Sequence, residues 1–299
     1  MKVMILIQKK LLFAVLCSLS GWFFLTLSNI CNKLIIHDIS IWMILLFQNV
    51  ICLFLTIPFV ALKRCSLKTK KWGLHLFRDL LGVSVVFFVF TALKSIPLVD
   101  ASLLQNTAPL WIPFIIFAWL GIRIRRNLWW GTVMGFVGVV LILKPGTEAL
   151  SIGALYALAA GLGTAFAIVV TARLSHTEPA ERTLFYYFLF GTLVTLPMAF
   201  AEFSIPSKQN LIYLIGVGVF VYLGVFLMTY SLQHARASVL GPIAYSSVIF
   251  SGIFDYLIWN HIPDLLTFLG VVIVVTGALL SIHFEHRYQK LINESVLKR

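Results

Sequence analysis

The sequence has little charge, and few of the charges it has are negative. Only 11% of the residues are charged and 60% are hydrophobic, with 11 Asp and Glu against 23 Lys and Arg. Soluble domains carry about 25% charged residues, so this composition excludes the ordinary soluble class and indicates a membrane protein. The mean hydropathy of +0.98 indicates the same class.

Familiar catalytic and metal-binding motifs are also missing from the sequence. The four cysteines form no CxxC pair, which argues against a zinc site or a disulfide framework. The sequence contains no phosphate-binding loop and no nucleophile elbow. We therefore expect no cofactor, no metal site and no enzyme activity. Energy for any transport would come from an ion or substrate gradient rather than from ATP.

What the sequence does have is a series of long apolar segments. Ten of them approach the ~20 residues that cross a hydrocarbon core. They lie near residues 11–31, 40–62, 75–93, 99–121, 127–143, 152–172, 183–202, 210–232, 237–259 and 264–283. The sequence therefore predicts an all-α membrane protein with ten transmembrane helices.

The Lys and Arg residues concentrate in alternate connections between these segments. Most of the 23 fall near the N-terminus, around Arg64, around Arg125 and in the tail after the tenth segment. Because basic loops favour the cytoplasmic side, both termini are predicted to be cytoplasmic in a multi-pass protein of the bacterial inner membrane. The formal charge of +12 then reports orientation in the lipid bilayer, and no nucleic-acid partner is expected.

The two halves of the chain resemble each other. At an offset of 139 residues LTIPF (55–59) lies over VTLPM (194–198), and at 136 ASLLQNTAPL (101–110) lies over ASVLGPIAYS (237–246). Each half holds an odd number of predicted spans, so the second half enters the membrane from the opposite side. Inverted repeats are typical of secondary transporters. We predict two inverted five-helix repeats, 1–146 and 147–285, and a cytoplasmic tail, 286–299.

Several segments together resemble the EamA type of the drug/metabolite transporter superfamily over nearly the whole chain. They are Asn29 with Lys33, HLFRDLLG (75–82), ALKSIPLVDASLL (92–104), GTVMGFVGVVLILKPG (131–146), PIAYSSVIF (242–250) and PDLLTFLGVVIVVTGAL (263–279). S-adenosylmethionine carriers of intracellular bacteria look similar in these segments. The resemblance implies a central cavity lined chiefly by helices one, three, four, six, eight and nine. Where the family usually has acidic residues this chain has Ile122 and His261, and Gln48 stands in place of a basic residue.

Three adjacent polar residues, Gln105, Asn106 and Thr107, lie inside the fourth apolar segment. Consecutive helical positions point ~100° apart, so the three cannot all face one cavity. The polar side chains of these three residues either face a substrate cavity or bond to neighbouring helices, and the sequence leaves both interpretations open. Pro109 and Pro113 each remove a backbone donor and so free a carbonyl one turn earlier, which is how transporters build polar sites inside the membrane.

Charged residues within or beside the spans are further candidates. Asp255 is the only acidic residue deep in a predicted span, where it would be a counter-ion for a cationic substrate, a proton-coupling site, or an interfacial residue solvated from outside. His75, Arg78 and Asp79 form HLFRD at the cytoplasmic mouth of helix three. An HxxxD pair invites an acyltransferase reading, but no lipid-enzyme motif follows it, and a helix start with Arg and Asp is typical of an interfacial anchor, with Arg78 as a gating or anion-binding residue.

These positions combine into one functional hypothesis. We expect a secondary active transporter that moves a small polar organic metabolite, such as an amino acid or an S-adenosylmethionine-like compound, by alternating access, with a proton or an exchanged substrate as its coupling partner. The alternative is a membrane-embedded enzyme acting on lipid-linked groups. The candidate substrate-binding residues are Asn29, Arg78, Gln105, Asn106, Tyr230, Tyr245, Ser246 and Asp255.

Overall fold

The structure is a computed structural model of the chain. It describes residues 2–120, 133–134, 137–138, 141, 151–175, 177–234, 240, 243–244, 246–261, 264–273 and 275–277. Most of the predicted fifth span, the end of the tenth span, the tail, and the candidate Tyr245 lie outside the described residues.

Helices make up most of the described chain. They are α1 (Lys2–Ile35), α2 (Ile41–Leu62), α3 (Trp72–Leu93), α4 (Leu98–Gln105), α5 (Ala108–Leu120), α6 (Ile152–Ser175), α7 (Ala180–Ala201), α8 (Lys208–His234) and α9 (Ser246–Trp259). A further apolar helix, Leu265–Gly277, follows α9. The ends of α2, α3, α6, α7 and α8 lie within about three residues of the predicted spans, because uninterrupted apolar runs set the helix length.

Within the described ranges, six helices are long and apolar enough to cross a membrane: α1, from Leu12 onward, with α2, α3, α6, α7 and α8. Large apolar side chains such as Phe54, Phe200 and Ile212 stand outward from the bundle and are 73%, 68% and 69% exposed. Such a surface suits lipid contact. The predicted all-helical membrane class is confirmed, while the count of ten spans stays a prediction.

The long helices pack mainly across the two halves of the chain. α1 packs along α8, α2 along α7 and α3 along α6, while α4 contacts both α6 and α9. Glycine permits the closest approach: an added Cβ at Gly21 of α1 would lie 3.1 Å from the Gly224 carbonyl oxygen of α8, and the same distance holds in reverse. Small residues let membrane helices approach in this way. Each half therefore buries its inner face chiefly against the other.

The fourth predicted span is interrupted between α4 and α5. The Thr107 N–H donates to the Leu104 carbonyl (3.2 Å) and the Leu110 N–H to the Thr107 carbonyl (2.8 Å), so tighter turns replace the α-helical ladder. Pro109 has no N–H to donate to the carbonyl of Gln105. The kink that the prolines predicted is thus a change of hydrogen-bond register that separates two short helices.

A glycine on α6 packs against this break. A Cβ at Gly161 would lie 2.5 Å from Thr107 Oγ1 and 2.7 Å from the Leu104 carbonyl oxygen. Only a residue without a side chain lets the backbone of α6 pass this close to the irregular turn. The position of the break is therefore fixed by a partner in the second half as well as by local sequence.

The end of α2 carries a strained residue. Arg64 has φ of 47°, in the left-handed region that favours glycine. The N–H groups of Cys65 and Arg64 donate to the carbonyls of Val60 (3.0 Å) and Ala61 (3.1 Å), which is the Schellman pattern of a helix terminus. These bonds satisfy the last carbonyls of α2 and turn the chain into the loop that leads to α3.

Candidate substrate cavity

A cavity lies among helices of both halves and contains about 580 Å³ of empty space, including the part that opens outward. Helices α1, α2, α3 and α4 of the first half and α7, α8 and α9 of the second half contribute to its wall. Of the helices implied by the family resemblance, one, three, four, eight and nine supply lining residues, and helix six supplies none of those described. Gln48 and Tyr187 add helices two and seven. The lining residues are Trp22, Leu25, Thr26, Ser28, Asn29, Gln48, Val86, Val89, Phe90, Ser102, Gln105, Tyr187, Val221, Val225 and Ser247.

The described wall of the cavity mixes apolar side chains with uncharged polar ones. Amides come from Asn29, Gln48 and Gln105, and hydroxyls come from Ser102 and Ser247 among others. None of the lining residues carries a formal charge at neutral pH. Such a surface binds through directed hydrogen bonds and aromatic contacts rather than through a full counter-charge.

The three polar residues of the fourth span have three different environments. Gln105 lines the cavity. The Asn106 amide donates to Ser247 Oγ of α9 (2.7 Å) and to the Ser102 carbonyl (2.6 Å), so it holds α4 against α9. The Thr107 hydroxyl donates to the carbonyl of Leu104 in α4 (2.8 Å). The cavity and interhelical readings of the sequence therefore both apply, to different members of the triplet.

Contacts between α4 and α9 close the cavity beside Ser247. The hydroxyls of Ser102 and Ser251 lie 2.6 Å apart, and both side chains are buried. Together with Asn106 they form a hydrogen-bonded seam between the two halves. Such bonds are worth ~0.6 to ~2 kcal/mol each among membrane helices, so the seam fixes α4 without locking it permanently.

Arg78 lies behind the aromatic wall of the cavity. Its guanidinium stacks over the ring of Tyr187, 4.2 Å from the ring centroid, and Tyr187 lines the cavity. The same guanidinium donates to Asp79 Oδ1 (3.3 Å) and Thr171 Oγ1 (3.3 Å). Arg78 is only 7% exposed and is not a lining residue, so it acts on the cavity through its cation–π contact with Tyr187.

Asp255 is fully buried and has two partners. Its carboxylate accepts from Lys33 Nζ of α1 (3.1 Å) and from the backbone N–H of Val99 in the first turn of α4 (3.1 Å). Pro97, at the N-cap of α4, supplies no side-chain cap, so Asp255 provides that cap from α9. Lys33 also lies 4.3 Å from the ring centroid of Trp259. The carboxylate thus joins α1, α4 and α9, and it is not among the residues that line the cavity.

A second polar cluster joins the loop after α2 to the loop before α7. Glu178 accepts from Arg182 Nη1 (2.5 Å) and from Thr69 Oγ1 (2.8 Å). Burial raises the pKa of Glu178, but the hydrogen bonds from Arg182 and Thr69 outweigh it and leave the pKa below its usual value. Lys63 contacts Glu181 nearby (2.5 Å), and this hydrogen bond raises the pKa of Lys63. We call these five residues the loop cluster.

His75 lies beneath the loop cluster and is fully buried. Its ring is 5.0 Å from that of Tyr186, and its Nε2 lies 3.9 Å from Glu178 Oε2. Asp79 is fully buried against Arg78. His75, Arg78 and Asp79 therefore pack between helices instead of forming an open site at the bilayer surface.

Tyr230 and Ser246 are not among the lining residues. Tyr230 stacks between Phe226 and His234 on α8, with ring centroids 6.2 Å and 4.4 Å away. Ser246 donates to the Ile243 carbonyl (2.6 Å) at the start of α9. Asn29 and Gln105 are the two predicted site residues that line the cavity, while Tyr245 lies outside the part of the chain that the structure describes.

Sequence reasoning missed Gln48 as a lining residue. Gln48 was noted only as a departure from the family pattern, yet it and Asn49 are adjacent amides within a largely apolar helix, the same signal that singled out Gln105. Trp22 and Tyr187 also line the cavity and were not among the candidates. The Tyr187 ring lies against Gly82 of α3, a contact between distant residues that no local sequence pattern indicates.

A family model describes nearly all of this chain. The model of the EamA-like transporter family matches residues 12–144 and again residues 151–282. The two matches fall on the two halves that the internal sequence repeat indicated.

Named relatives are also similar over much of their length. The chain is 28% identical to the pseudopaline exporter of Pseudomonas aeruginosa strain UCBPP-PA14 over 206 residues, 68% of this chain and 72% of that protein. It is 27% identical to the S-adenosylmethionine uptake transporter of Rickettsia felis over 285 residues, 92% of this chain and 96% of that protein. A solved crystal structure with 18% identity matches with a TM-score of 0.66 and covers 91% of this chain and 98% of its own, which shows a shared fold.

Proposed function

Because this chain belongs to the EamA-like transporter family and is a small-metabolite transporter, we propose that it works by alternating access. Its cargo would be a small polar organic metabolite, such as an amino acid or an S-adenosylmethionine-like compound, carried across the bacterial inner membrane. The observation that carries this proposal is the cavity with uncharged amides and hydroxyls set in a largely apolar wall, which receives lining residues from both repeats. A cavity built at a repeat interface can open to either side when one repeat moves against the other.

Helix packing supports an inverted repeat within ten spans. A twofold axis would exchange each span of the first half with the span five positions later, so that α1 takes the place of α6, α3 that of α8 and α4 that of α9. Under this exchange the packing of α1 on α8 corresponds to that of α6 on α3, and the packing of α4 on α6 corresponds to that of α9 on α1. The pairs α2 with α7 and α4 with α9 map onto themselves. All of these pairings are present, as a pseudo-twofold axis requires. We assign the repeats to 1–146 and 147–285, with 286–299 and the N-terminus on the cytoplasmic side.

Two sets of contacts would close the two ends of the cavity in turn. Lys33, Asp255 and Val99 tie α1, α9 and α4 together at the ends that the positive-inside pattern puts outside. The loop cluster ties the two halves together at the basic, cytoplasmic ends. Alternating access requires that one set opens while the other holds, so each set is a candidate gate.

The named relatives indicate only the chemical class of the transported compound. Proteins named for S-adenosylmethionine uptake and pseudopaline export both move small polar organic compounds. Because Asp255 is already paired with Lys33, a cationic cargo group would need another way to be stabilised, such as the aromatic faces of Trp22, Phe90 and Tyr187. A proton or an exchanged substrate would supply the driving force.

Counterflow in proteoliposomes tests the proposal. Vesicles loaded with unlabelled amino acids, S-adenosylmethionine, nucleosides or cationic drugs should accumulate the matching labelled compound transiently and saturably. Gln105→Ala should slow this flux, since Gln105 lines the cavity, while Gln209→Ala, at an exposed glutamine, should not. Non-saturable flux, as in a channel, would refute alternating access.

A further inference from the structure

Two residues that line the cavity carry buried polar atoms without a hydrogen-bond partner. Trp22 of α1 is 7% exposed, and its indole Nε1–H has no acceptor; Gln48 of α2 is 1% exposed, and its Oε1 has no donor. Buried polar atoms are nearly always paired in folded proteins, so such atoms at a cavity wall indicate that a ligand completes them. The two atoms also have opposite character, one donor and one acceptor.

The donor on Trp22 and the acceptor on Gln48 together restrict which chemical group can bind. A carboxylate offers acceptors alone and would leave Gln48 Oε1 facing another oxygen, while an ammonium offers donors alone and would leave the Trp22 N–H unpaired. A group with a donor beside an acceptor can satisfy both atoms together. We infer that Trp22 and Gln48 form a subsite for an uncharged, amide-like edge, as found on adenine or on a primary carboxamide.

The surroundings of this pair agree with an uncharged planar edge. The lining residues carry no formal charge, so a charged edge would be buried without a counter-charge. The aromatic rings of Phe90 and Tyr187 belong to the same wall, and the Arg78 guanidinium covers one face of the Tyr187 ring. The inference rests on the proposed function, because it takes the cavity as the site where cargo binds.

Binding to the unmodified full-length chain in nanodiscs is the first test, read as the shift in thermal unfolding and as competition in counterflow. Adenosine presents the amino donor beside a ring nitrogen, whereas purine riboside lacks the amino group. L-glutamine and L-norleucine differ likewise at the side-chain amide. The edge-bearing member of at least one pair should bind about tenfold more tightly. Equal binding within both pairs, or no binding of adenosine and L-glutamine, would overturn the inference.

Two variants separate the two atoms. Trp22→Phe removes the donor and keeps an aromatic ring, although a smaller one, so it should weaken adenosine and purine riboside alike by about tenfold. Gln48→Met removes the acceptor at similar volume, so it should abolish the preference for adenosine while leaving purine riboside unchanged. Where glutamine is the ligand, Gln48→Met should likewise erase its advantage over L-norleucine. Trp42→Phe is the matched control, because Trp42 stacks on Phe87 at 4.9 Å and is not a lining residue.

The outcomes distinguish this inference from the proposed function. Edge-selective binding without counterflow would uphold the subsite and refute transport of that ligand. Saturable counterflow of compounds that lack the edge, at equal rates in the unmodified chain and both variants, would uphold transport and refute the subsite. If Trp22 and Gln48 acted only in packing, the variants would lower thermal stability and leave the ratio of adenosine to purine riboside affinity intact.

Discussion

Removal of the Lys33 ammonium tests how the outer end of the bundle is held together. In the structure, Asp255 is fully buried and Lys33 is 15% exposed, with 3.1 Å between the charged atoms. Lys33→Met keeps the length of the side chain and removes the charge. Asp255 then retains only the N–H of Val99, at the first turn of α4. We expect the outer ends of α1, α4 and α9 to separate more readily.

The size of the effect follows from the geometry. At 3.1 Å and an effective dielectric constant near 20, the attraction is about 5 kcal/mol before desolvation is subtracted. Breaking a buried pair typically costs ~3–5 kcal/mol, and the partial solvation of Lys33 together with the surviving Val99 bond places this case at about 2–3 kcal/mol. In an Asp255→Asn background no carboxylate is left unpaired, so Lys33→Met should cost only the contact with Trp259, about 0.5–1 kcal/mol.

A double-mutant cycle of unfolding free energy in mixed micelles measures the difference. The coupling between Lys33→Met and Asp255→Asn should be about 1.5–2 kcal/mol, while Lys94→Met, at an exposed lysine beyond α3, should change stability by less than about 0.5 kcal/mol. A coupling near zero would show that the pair does not hold the three helices. Full loss of the pH dependence of flux in Asp255→Asn, with stability unchanged, would instead return Asp255 to the coupling role considered from the sequence.

Three further predictions concern other contacts. Glu178→Gln should unfold at a lower temperature than the unmodified chain at neutral pH, and the difference in unfolding temperature should shrink as the pH falls. A carboxylate whose pKa is lowered in the folded state stabilises the fold above its unfolded pKa near 4.5, and this contribution is lost as the pH falls through the folded pKa. A difference that does not change with pH would contradict the role of Arg182. Gly161→Ala should lower stability by about 1–3 kcal/mol by forcing α6 from the helix break, whereas Gly73→Ala, where a Cβ meets nothing within 4 Å, should be neutral or stabilising. Arg64→Gly should raise the unfolding free energy by about 0.5–1 kcal/mol, because left-handed φ costs a non-glycine residue ~1–2 kcal/mol and glycine returns part of this as backbone entropy; lower stability in denaturant titration would contradict the strain at Arg64.

The sequence predicted the features that depend on local composition. Apolar runs gave the helices α2, α3, α6, α7 and α8 within about three residues, since a helix in lipid extends as far as its apolar run. Prolines at 109 and 113 marked the disturbance in the fourth span. The geometry of the break was out of reach, because it depends on Gly161, which lies more than fifty residues later in α6 and shows no special pattern there.

Pairing between distant residues accounts for what the sequence left open. Asp255 was considered as a free carboxylate because its partner Lys33 lies 222 positions away, and no spacing rule connects them. Gln105 and Asn106 are neighbours with similar side chains, yet one lines the cavity and the other bonds Ser247, according to which way each faces on α4. Residue type identifies the polar positions of a membrane helix, but the neighbouring helix decides the role of each.

The pairing of helices across the two halves also has a consequence for how the protein folds during its synthesis. α1 leaves the ribosome roughly 10–40 s before α8, at ~5–20 residues per second, and α2 and α3 also precede their partners α7 and α6. Until then the polar inner face of the first half, including Arg78 and Asp79, must be shielded by lipid headgroups, by the insertion machinery or by its own collapse. The second half is therefore the folding template of the first. The surface on which the two halves meet during assembly is therefore also the surface that forms the cavity.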